Sequence, residues 1–248
     1  MDEKRAPLLD KNLGRKAASK SLSKGNIKFK SIMEKVYLEV LNKDQLSVFP
    51  KLDFLQSEGF YLAGGTALAL QVGHRTSVDF DFYNSRHFDE RKLYDKIQRF
   101  FKDAKETLRE EDTLFCKVKG VELSFFWYKY PLIKKARIIR GVPVASIEDI
   151  AAMKLIAITH RPVKRDYIDI FFLLKSFTLE DMFSFVSRKY ADFNRYLSLR
   201  ALTYFEDIKD NEDKRSIEVF DSDFSWMKAK EKIFEEVKKY QLAMMKKK

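Results

Sequence analysis

YLAGGTALALQVGHRTSVDFDFY, residues 61–83, is the stretch of this sequence that decides the fold. Its pattern predicts a short strand, a Gly-Gly turn, a short helix and a second strand. Side chains alternate between the two faces of a strand, so Asp79 and Asp81 are expected to project from one face. The apolar residues beside them are expected to point the other way into a core, namely Val78, Phe80 and Phe82.

The polar groups of this stretch suggest a chemistry. Two carboxylates side by side repel each other unless a cation lies between them, and their hard oxygens suit Mg²⁺ or Mn²⁺. The Gly64-Gly65-Thr66 turn precedes a helix, whose first free N–H groups form an anion site. A phosphate cradle beside a carboxylate pair is typical of metal-assisted phosphoryl or nucleotidyl transfer.

Composition narrows the class of protein. Cys116 is the one cysteine among 248 residues, so no internal disulfide can form, which fits a reducing cytoplasm. It lies in an alternating apolar stretch, which favours core packing over catalysis. The sequence shows no membrane-span-length apolar run and no signal-peptide core, so we expect a cytoplasmic protein without a membrane partner. It also shows no nucleophile elbow, Walker lysine loop or Cys/His zinc cluster.

The net charge of +11 lies mostly at the two ends of the chain. Residues 1–30 hold nine Lys or Arg against three acids, and the last three residues are all Lys. Such ends are either non-specific RNA-binding arms or merely solvated. An RNA-binding or partner-binding protein that uses these ends therefore stays open as one reading.

Periodicity and turn signals divide the rest of the chain into helices and strands. Helices are predicted at residues 27–42, 46–57, 90–101, 147–160, 164–175, 179–190, 195–206 and 224–240. Beyond the opening stretch, strands are predicted at residues 107–109, 114–119, 121–128 and 137–139, and a loop at 207–223. We expect an α+β fold in three parts: a flexible basic segment 1–26, a mixed-sheet α/β domain 27–145 with flanking helices, and a helical domain 146–248 that completes the site.

Two motifs resemble a known family. GGTALAL at residues 64–70, GHR at 73–75 and SVDFDF at 77–82 resemble the first motif of AbiEii-type nucleotidyltransferases. SIEDIAAMKLIAITHRPVKRDYIDIFFLL, residues 146–174, resembles the later motifs of this branch of the DNA polymerase beta-like superfamily. The resemblance implies a nucleotidyltransferase-like fold and transfer of NMP from an NTP to an acceptor hydroxyl. RNA, such as a tRNA end, is one candidate acceptor, and a protein side chain or a small molecule is the alternative. Many members are toxins, so it also implies a cognate antitoxin.

The same resemblance implies roles for individual residues. Asp79 and Asp81 would bind divalent metal. Lys154 would contact the nucleotide phosphates, and Asp166 would position or activate the acceptor. The phosphates would be held by the turn residues Gly64, Gly65 and Thr66.

One strand departs from the superfamily pattern. A third carboxylate is expected on the strand within VELSFFWYKYPLI, residues 121–133, but Ser124 stands at that position. Glu122 lies two residues earlier on the same strand face, and its longer side chain is the candidate replacement. If neither residue serves, the alternative is a non-catalytic or weakly active nucleotide- or RNA-binding module of the same fold.

The helical motif leaves further alternatives open. Lys154 lies between apolar helix neighbours and either needs an anion or extends along the helix to water. Arg161 either extends the anion site or caps the helix end. Asp166 and Asp169 share a helix face, as site residues or as part of an ion-paired surface.

Two residues between the halves of the first motif have open roles. His74 is either a structural hydrogen-bonding group or a substrate contact. Arg75 is either a phosphate-binding residue or a neutralising partner of the acid pair.

Overall fold

The opening stretch forms the centre of a seven-stranded mixed sheet. The computed structural model describes residues 35–206, 208 and 217–246. Contacts divide the chain into Met1–Lys35, of which Lys35 alone is described, and Val36–Lys248, which carries every element named below.

The strands follow the order β3-β4-β5-β2-β1-β7-β6 across the sheet. Their bounds are β1 Tyr61–Ala63, β2 Asp79–Asn84, β3 Lys105–Glu110, β4 Thr113–Val118, β5 Val121–Trp127, β6 Arg137–Ile139 and β7 Val142–Val144. The β2–β5 and β1–β7 pairs are parallel, and the other neighbours are antiparallel.

Helices flank this sheet, and they also form the part of the chain that follows the last strand in sequence. Their bounds are α1 Lys43–Val48, α2 Gly64–Val72, α3 Glu90–Phe100, α4 Ile147–His160, α5 Lys164–Leu173, α6 Leu179–Lys189, α7 Arg195–Thr203 and α8 Trp226–Lys246. Two 3₁₀ segments cover Leu38–Val40 and Phe49–Gln56. The predicted fold class, a mixed sheet with flanking helices followed by a helical part, is confirmed.

Alternation on β2 sets the core. Phe80 and Phe82 are fully buried, and the Phe82 ring stacks on Phe125 of β5 at a centroid distance of 5.4 Å. Val78 does not join them, because it precedes the strand and is 38% exposed. Helix α2 is buried along most of its length, and it packs against β2 and α4.

Local capping signals explain where several helices begin. Thr178 and Asp181 form a reciprocal capping box at the start of α6. At the start of α4, the Ser146 hydroxyl accepts from the Asp149 N–H at 3.0 Å. The Asp149 carboxylate accepts instead from the Ser146 hydroxyl and from the Ile133 N–H, so it holds the loop before β6 against α4.

Several predicted elements need correction. Of the helix predicted at 27–42, residues 27–34 lie outside the described part, and the rest contains only the 3₁₀ turn Leu38–Val40. The helix predicted at 46–57 is the end of α1 followed by a 3₁₀ segment with Pro50 at its start. Strand β7 was not predicted. Within the predicted loop 207–223, Val219 forms a bridge with Arg75.

The domain boundaries remain predictions. Segment 1–26 lies outside the described residues. Residues on the two sides of the 145/146 boundary meet directly, since the Arg75 Nε–H donates to Asp169 Oδ1 at 2.7 Å. None of the described helices is long and apolar enough to cross a lipid bilayer. Cys116 is buried, and burial raises the pKa of its thiol to about 12, as expected of a core residue.

Candidate active site

The backbone of the turn between β1 and α2 lies close to the side chains of Asp81 and Arg75. Gly64 has φ +69°, and a Cβ there would lie 2.7 Å from the Asp81 Oδ2 atom. A Cβ on Gly65 would lie 2.5 Å from the Arg75 Nη2 atom. The glycines therefore let the start of α2, whose first N–H groups have no partner within the helix, lie directly beside a carboxylate and a guanidinium.

The carboxylate pair lies on one face of β2. Asp79 and Asp81 are both partly exposed, while the residues alternating with them are buried. The Ser77 hydroxyl is 3.5 Å from Asp79 Oδ1. The two carboxylates are thus fixed on a rigid strand rather than on a loop.

Thr66 has a different environment from the one predicted. Its side chain is buried, and its hydroxyl donates to the Asp79 carbonyl. That bond ties α2 to β2, so the hydroxyl already has a protein partner. The group of Thr66 that fits the anion site is its backbone N–H, in the first turn of α2.

A cavity of about 220 Å³ gathers most of the predicted site residues; we call it the first cavity. Its wall includes eight of them: Gly64, Gly65, Arg75, Asp79, Asp81, Lys154, Arg161 and Asp166. Glu122 lines a second cavity of about 310 Å³. The two cavities share five lining residues, so the carboxylate pair stands at their common border: Asp79, Asp81, Tyr83, Arg161 and Arg165.

A buried ionic network lies behind the first cavity. The Lys154 ammonium is 2.6 Å from Asp166 Oδ1 and 2.6 Å from Asp169 Oδ2. Arg75 donates from Nε and Nη2 to Asp169, at 2.7 and 2.9 Å, and His74 Nε2 is 2.7 Å from the same carboxylate. The anion that Lys154 was expected to need is therefore supplied by α5, and its contact with phosphate stays a prediction.

The charge states in this network follow from burial and pairing. Burial acts to raise the pKa of Asp169, but the charges of Arg75 and Lys154 outweigh it and hold that pKa well below its usual range. Burial acts to lower the pKa of Lys154, yet Asp166 and Asp169 raise it overall. For His74, burial lowers the pKa despite the Asp169 hydrogen bond, so the ring is neutral near pH 7. Neutral His74 then donates its Nε2–H to Asp169.

Asp169 and His74 are the residues whose importance was least apparent from the sequence. Asp169 shares a helix face with Asp166 and is completely buried, so it is no part of a surface ion pair. Arg161 follows α4 at the C-cap position with an exposed side chain, and its Nε is 3.9 Å from Asp166 Oδ2. Asp166 Oδ2 has no hydrogen-bond partner among the described residues.

The register of β5 locates the two candidates for a third carboxylate. Glu122 pairs with Asp79 and Ser124 with Asp81, on parallel strands. Glu122 is exposed. Within the described part of the chain, no group of three or more His, Cys, Asp or Glu side chains is arranged to hold a metal ion.

Known proteins share this sequence and this fold. The family model described as "Nucleotidyl transferase AbiEii toxin, Type IV TA system" matches residues 52–131 and 129–246. The chain is 34% identical over 177 residues to the uncharacterized protein aq_aa25 of Aquifex aeolicus (strain VF5), covering 68% of this chain and 85% of that protein.

Two solved structures from Helicobacter pylori have a similar fold. One is described as a candidate nucleotidyltransferase, with TM-score 0.57, 18% identity, and 84% of this chain and 99% of that chain covered. The other is JHP933, with TM-score 0.52, 17% identity, and 84% and 96% covered. At such identities they show the fold alone, whereas the family match spans both the sheet and the helices. The two motifs thus meet around one cavity, and the chain belongs to the AbiEii family of nucleotidyl transferase toxins of type IV toxin–antitoxin systems.

Proposed function

We propose that this chain transfers a nucleoside monophosphate from an NTP to an acceptor hydroxyl, with Asp79 and Asp81 holding a divalent cation. One observation carries the proposal: the start of α2 lies against Asp81, with a Cβ on Gly64 only 2.7 Å from its Oδ2. A cradle for phosphate and a pair of carboxylates thus border one cavity.

The residues present fit a divalent metal. Asp79 and Asp81 project side by side from a strand and offer hard oxygen donors, which suit Mg²⁺ or Mn²⁺. A bound cation would neutralise charge on the triphosphate and on the departing pyrophosphate. Everything else in the site is supplied by the chain itself.

Backbone and guanidinium groups form the phosphate-binding part of the proposed site. The first N–H groups of α2 would donate to phosphate oxygens. Two hydrogen bonds to Asp169 hold the Arg75 guanidinium next to Gly65. Its positive charge is therefore in position before the nucleotide binds. Arg161, at the border of both cavities, would contribute a second and more mobile charge.

The second cavity is the proposed acceptor side. There the acceptor oxygen forms a bond to the α-phosphorus while the bond to pyrophosphate breaks. The proton of the acceptor hydroxyl passes to a base, and we assign that role to Glu122 because it is exposed opposite Asp79. Ser124 has no charge to share this task.

For the acceptor and the protein partner, we propose RNA, such as a tRNA end, and a cognate antitoxin. The description of the family as a toxin of a type IV toxin–antitoxin system supports a partner. A net charge of +11 favours a polyanionic acceptor.

Incorporation of label from NTP tests this function directly. Wild-type protein with Mn²⁺, labelled NTPs and total RNA is expected to label RNA. Asp81→Asn is expected to lose about a hundredfold or more of that rate, because a metal site contributes several kcal/mol to such a step. Glu110→Gln, which changes an exposed acid of β3, is the matched control and should retain activity.

The rival reading, a nucleotide-binding module without turnover, is favoured by Ser124 opposite Asp81. It predicts that the wild type binds NTP with Mn²⁺ but labels no acceptor in total RNA, protein or small-molecule fractions. Label that survives Asp81→Asn at the wild-type rate would contradict the proposed metal site.

A further inference from the structure

The first cavity differs chemically between its two ends. Near the start of α2 its wall carries Gly64, Gly65 and Arg75, which suit phosphate. Its wall also includes the rings of Tyr83 and Tyr128 and part of α4. Tyr83 lies two residues beyond Asp81 on the same face of β2, about 7 Å along the strand. The function proposed above gives this aromatic wall no role.

The part of this wall that α4 contributes contains both apolar and charged side chains. Ile150, Met153, Lys154, Ala157 and Arg161 line the cavity and recur at three- and four-residue spacing, so they share one helix face. The apolar members fall within about the first three turns, with Lys154 among them, and the charged Arg161 follows the helix end. Because Lys154 is paired with Asp166 and Asp169, the other side chains of this face within α4 give the cavity an apolar side.

Tyr128 is held firmly in place. Its N–H donates to the Asn84 carbonyl at 2.7 Å, and its hydroxyl is bonded to that of Tyr190. Its ring makes T-shaped contacts with the rings of Tyr83 and Tyr130, with centroids 5.3 Å away in both cases, and the Lys189 ammonium lies 5.7 Å from its centroid. Burial raises the pKa of Tyr128 to about 12, against the effect of the Tyr190 bond, so the ring carries a neutral phenol.

A ring fixed in this way is a good stacking surface. Tyr128 is half-buried and lines the first cavity, so part of this side chain faces the space where a base would bind. Because the ring is ordered before binding, little conformational entropy is lost when a ligand stacks on it. Any nucleobase has a π-face, and stacking of a base on an aromatic side chain tolerates different bases.

We propose that Tyr128 is the stacking platform for the nucleobase of the bound NTP, with Met153 and Ala157 of α4 forming the apolar side of the base site. This inference rests on the proposed function, because it needs an NTP whose phosphates lie at Gly64 and Gly65. It adds a residue that determines nucleotide affinity and lies outside both sequence motifs.

Binding of two probes, one with a base and one without, tests the platform. Isothermal titration calorimetry with Mn²⁺ would measure the Kd of each of the four NTPs and of inorganic tripolyphosphate. Tyr128→Leu is expected to raise the Kd of every NTP that the wild type binds by about tenfold or more. The Kd of tripolyphosphate should stay unchanged, because that probe has no base to stack.

Two further variants separate stacking from packing. Tyr130→Leu removes a ring of the same cluster that does not line the cavity, and it should leave NTP binding at the wild-type level. Tyr128→Phe keeps the ring and loses the bond to Tyr190, and it should bind NTP nearly as the wild type does. Urea unfolding of each variant would show that the fold is retained.

The possible outcomes test this inference separately from the proposed function on which it rests. Equal NTP affinity of Tyr128→Leu and wild type would overturn the platform while leaving nucleotidyl transfer intact. Equal loss of NTP and tripolyphosphate binding would also overturn it, since the ring would then support the cavity rather than hold the base. A wild type that binds neither probe would overturn the proposed function itself.

Discussion

Asp169 does not line the first cavity, yet it holds in place the buried residues around that cavity. Its two oxygens accept from Arg75, Lys154 and His74, all of them buried. A buried charge without a partner costs several kcal/mol, so each cation depends on this carboxylate to stay inside the protein. Asp169 is therefore a positioning residue, because Arg75 reaches the start of α2 only from the place that Asp169 gives it.

His74 makes the stability of this network depend on pH. Its folded-state pKa lies below the ordinary value of about 6.5, chiefly through burial. Between those two values the unfolded chain binds a proton that the folded chain does not. The free energy of unfolding is thus fully retained above pH about 6.5 and falls as the pH drops through that window.

Urea unfolding of wild type and His74→Gln between pH 7.5 and 5 would measure this dependence. The substitution should flatten the pH dependence, since it removes the group that the unfolded state protonates. The exposed His160, changed to Gln, is the control and should keep the wild-type slope. A slope that persists unchanged in His74→Gln would show that another group causes it.

At the scale of elements, the β1–α2 connection is the most constrained part of the molecule. Its geometry depends on Gly64 in the left-handed region and on the Thr66 hydroxyl bonded to the Asp79 carbonyl. Helix and strand are thus joined at the point where the cavity begins. A shift of α2 would move the N–H groups and the Asp81 carboxylate relative to each other.

Two glycines with similar backbones allow this constraint to be tested. Gly64→Ala and Gly120→Ala both place a Cβ at positive φ, +69° and +82°, which costs about 1–2 kcal/mol of unfolding free energy. Only at Gly64 does the Cβ meet Asp81, whereas at Gly120 it meets no atom of the described chain within 4 Å.

Gly64→Ala is therefore expected to lose about a hundredfold of transfer activity, as misplaced site groups do, while Gly120→Ala keeps its activity. Urea unfolding and the labelling assay measure the two effects separately. If both variants lose activity equally, the loss reflects backbone strain in general and not the Gly64–Asp81 contact.

At the scale of the whole molecule, the site is assembled from segments far apart in sequence. Residues 74–76 pair with residues 218–220: the Thr76 N–H donates to the Glu218 carbonyl and the Phe220 N–H to the His74 carbonyl, both at 2.9 Å. Ile217, at the edge of the same segment, lines the first cavity. Sheet, helices and this late segment thus build one cavity together.

Such a shared site predicts joint unfolding of the parts 27–145 and 146–248. The two tryptophans lie on either side of the boundary, Trp127 on β5 and Trp226 in α8. Trp127→Phe and Trp226→Phe each leave a single tryptophan as a fluorescence probe of one part. Each variant should show one urea transition, with the same midpoint by fluorescence and by circular dichroism. We expect this because the buried Asp169–Arg75 pair spans the boundary. Fluorescence midpoints that differ from the circular dichroism midpoints would instead support two independent domains.

Local chemistry was sufficient to predict much of this protein. Alternation indicated which side chains of β2 are buried, and capping signals gave the start of α4 and α6. The two motifs were sufficient to identify the family, and they named most of the residues around the cavity. These features depend on neighbours a few residues apart, so the sequence alone displays them.

Only the tertiary structure decided what the charged groups contact. From the sequence, Lys154 either needs an anion or extends to water, and nothing there shows that Asp166 and Asp169 pair with it. Nor does it show the Thr66 hydroxyl bonded to the Asp79 carbonyl, the pairing of residues 74–76 with 218–220, or Tyr128 in the wall of the cavity that the carboxylates line. The partner of a buried polar group is set by which distant segment packs against it, and that choice is made by the fold as a whole.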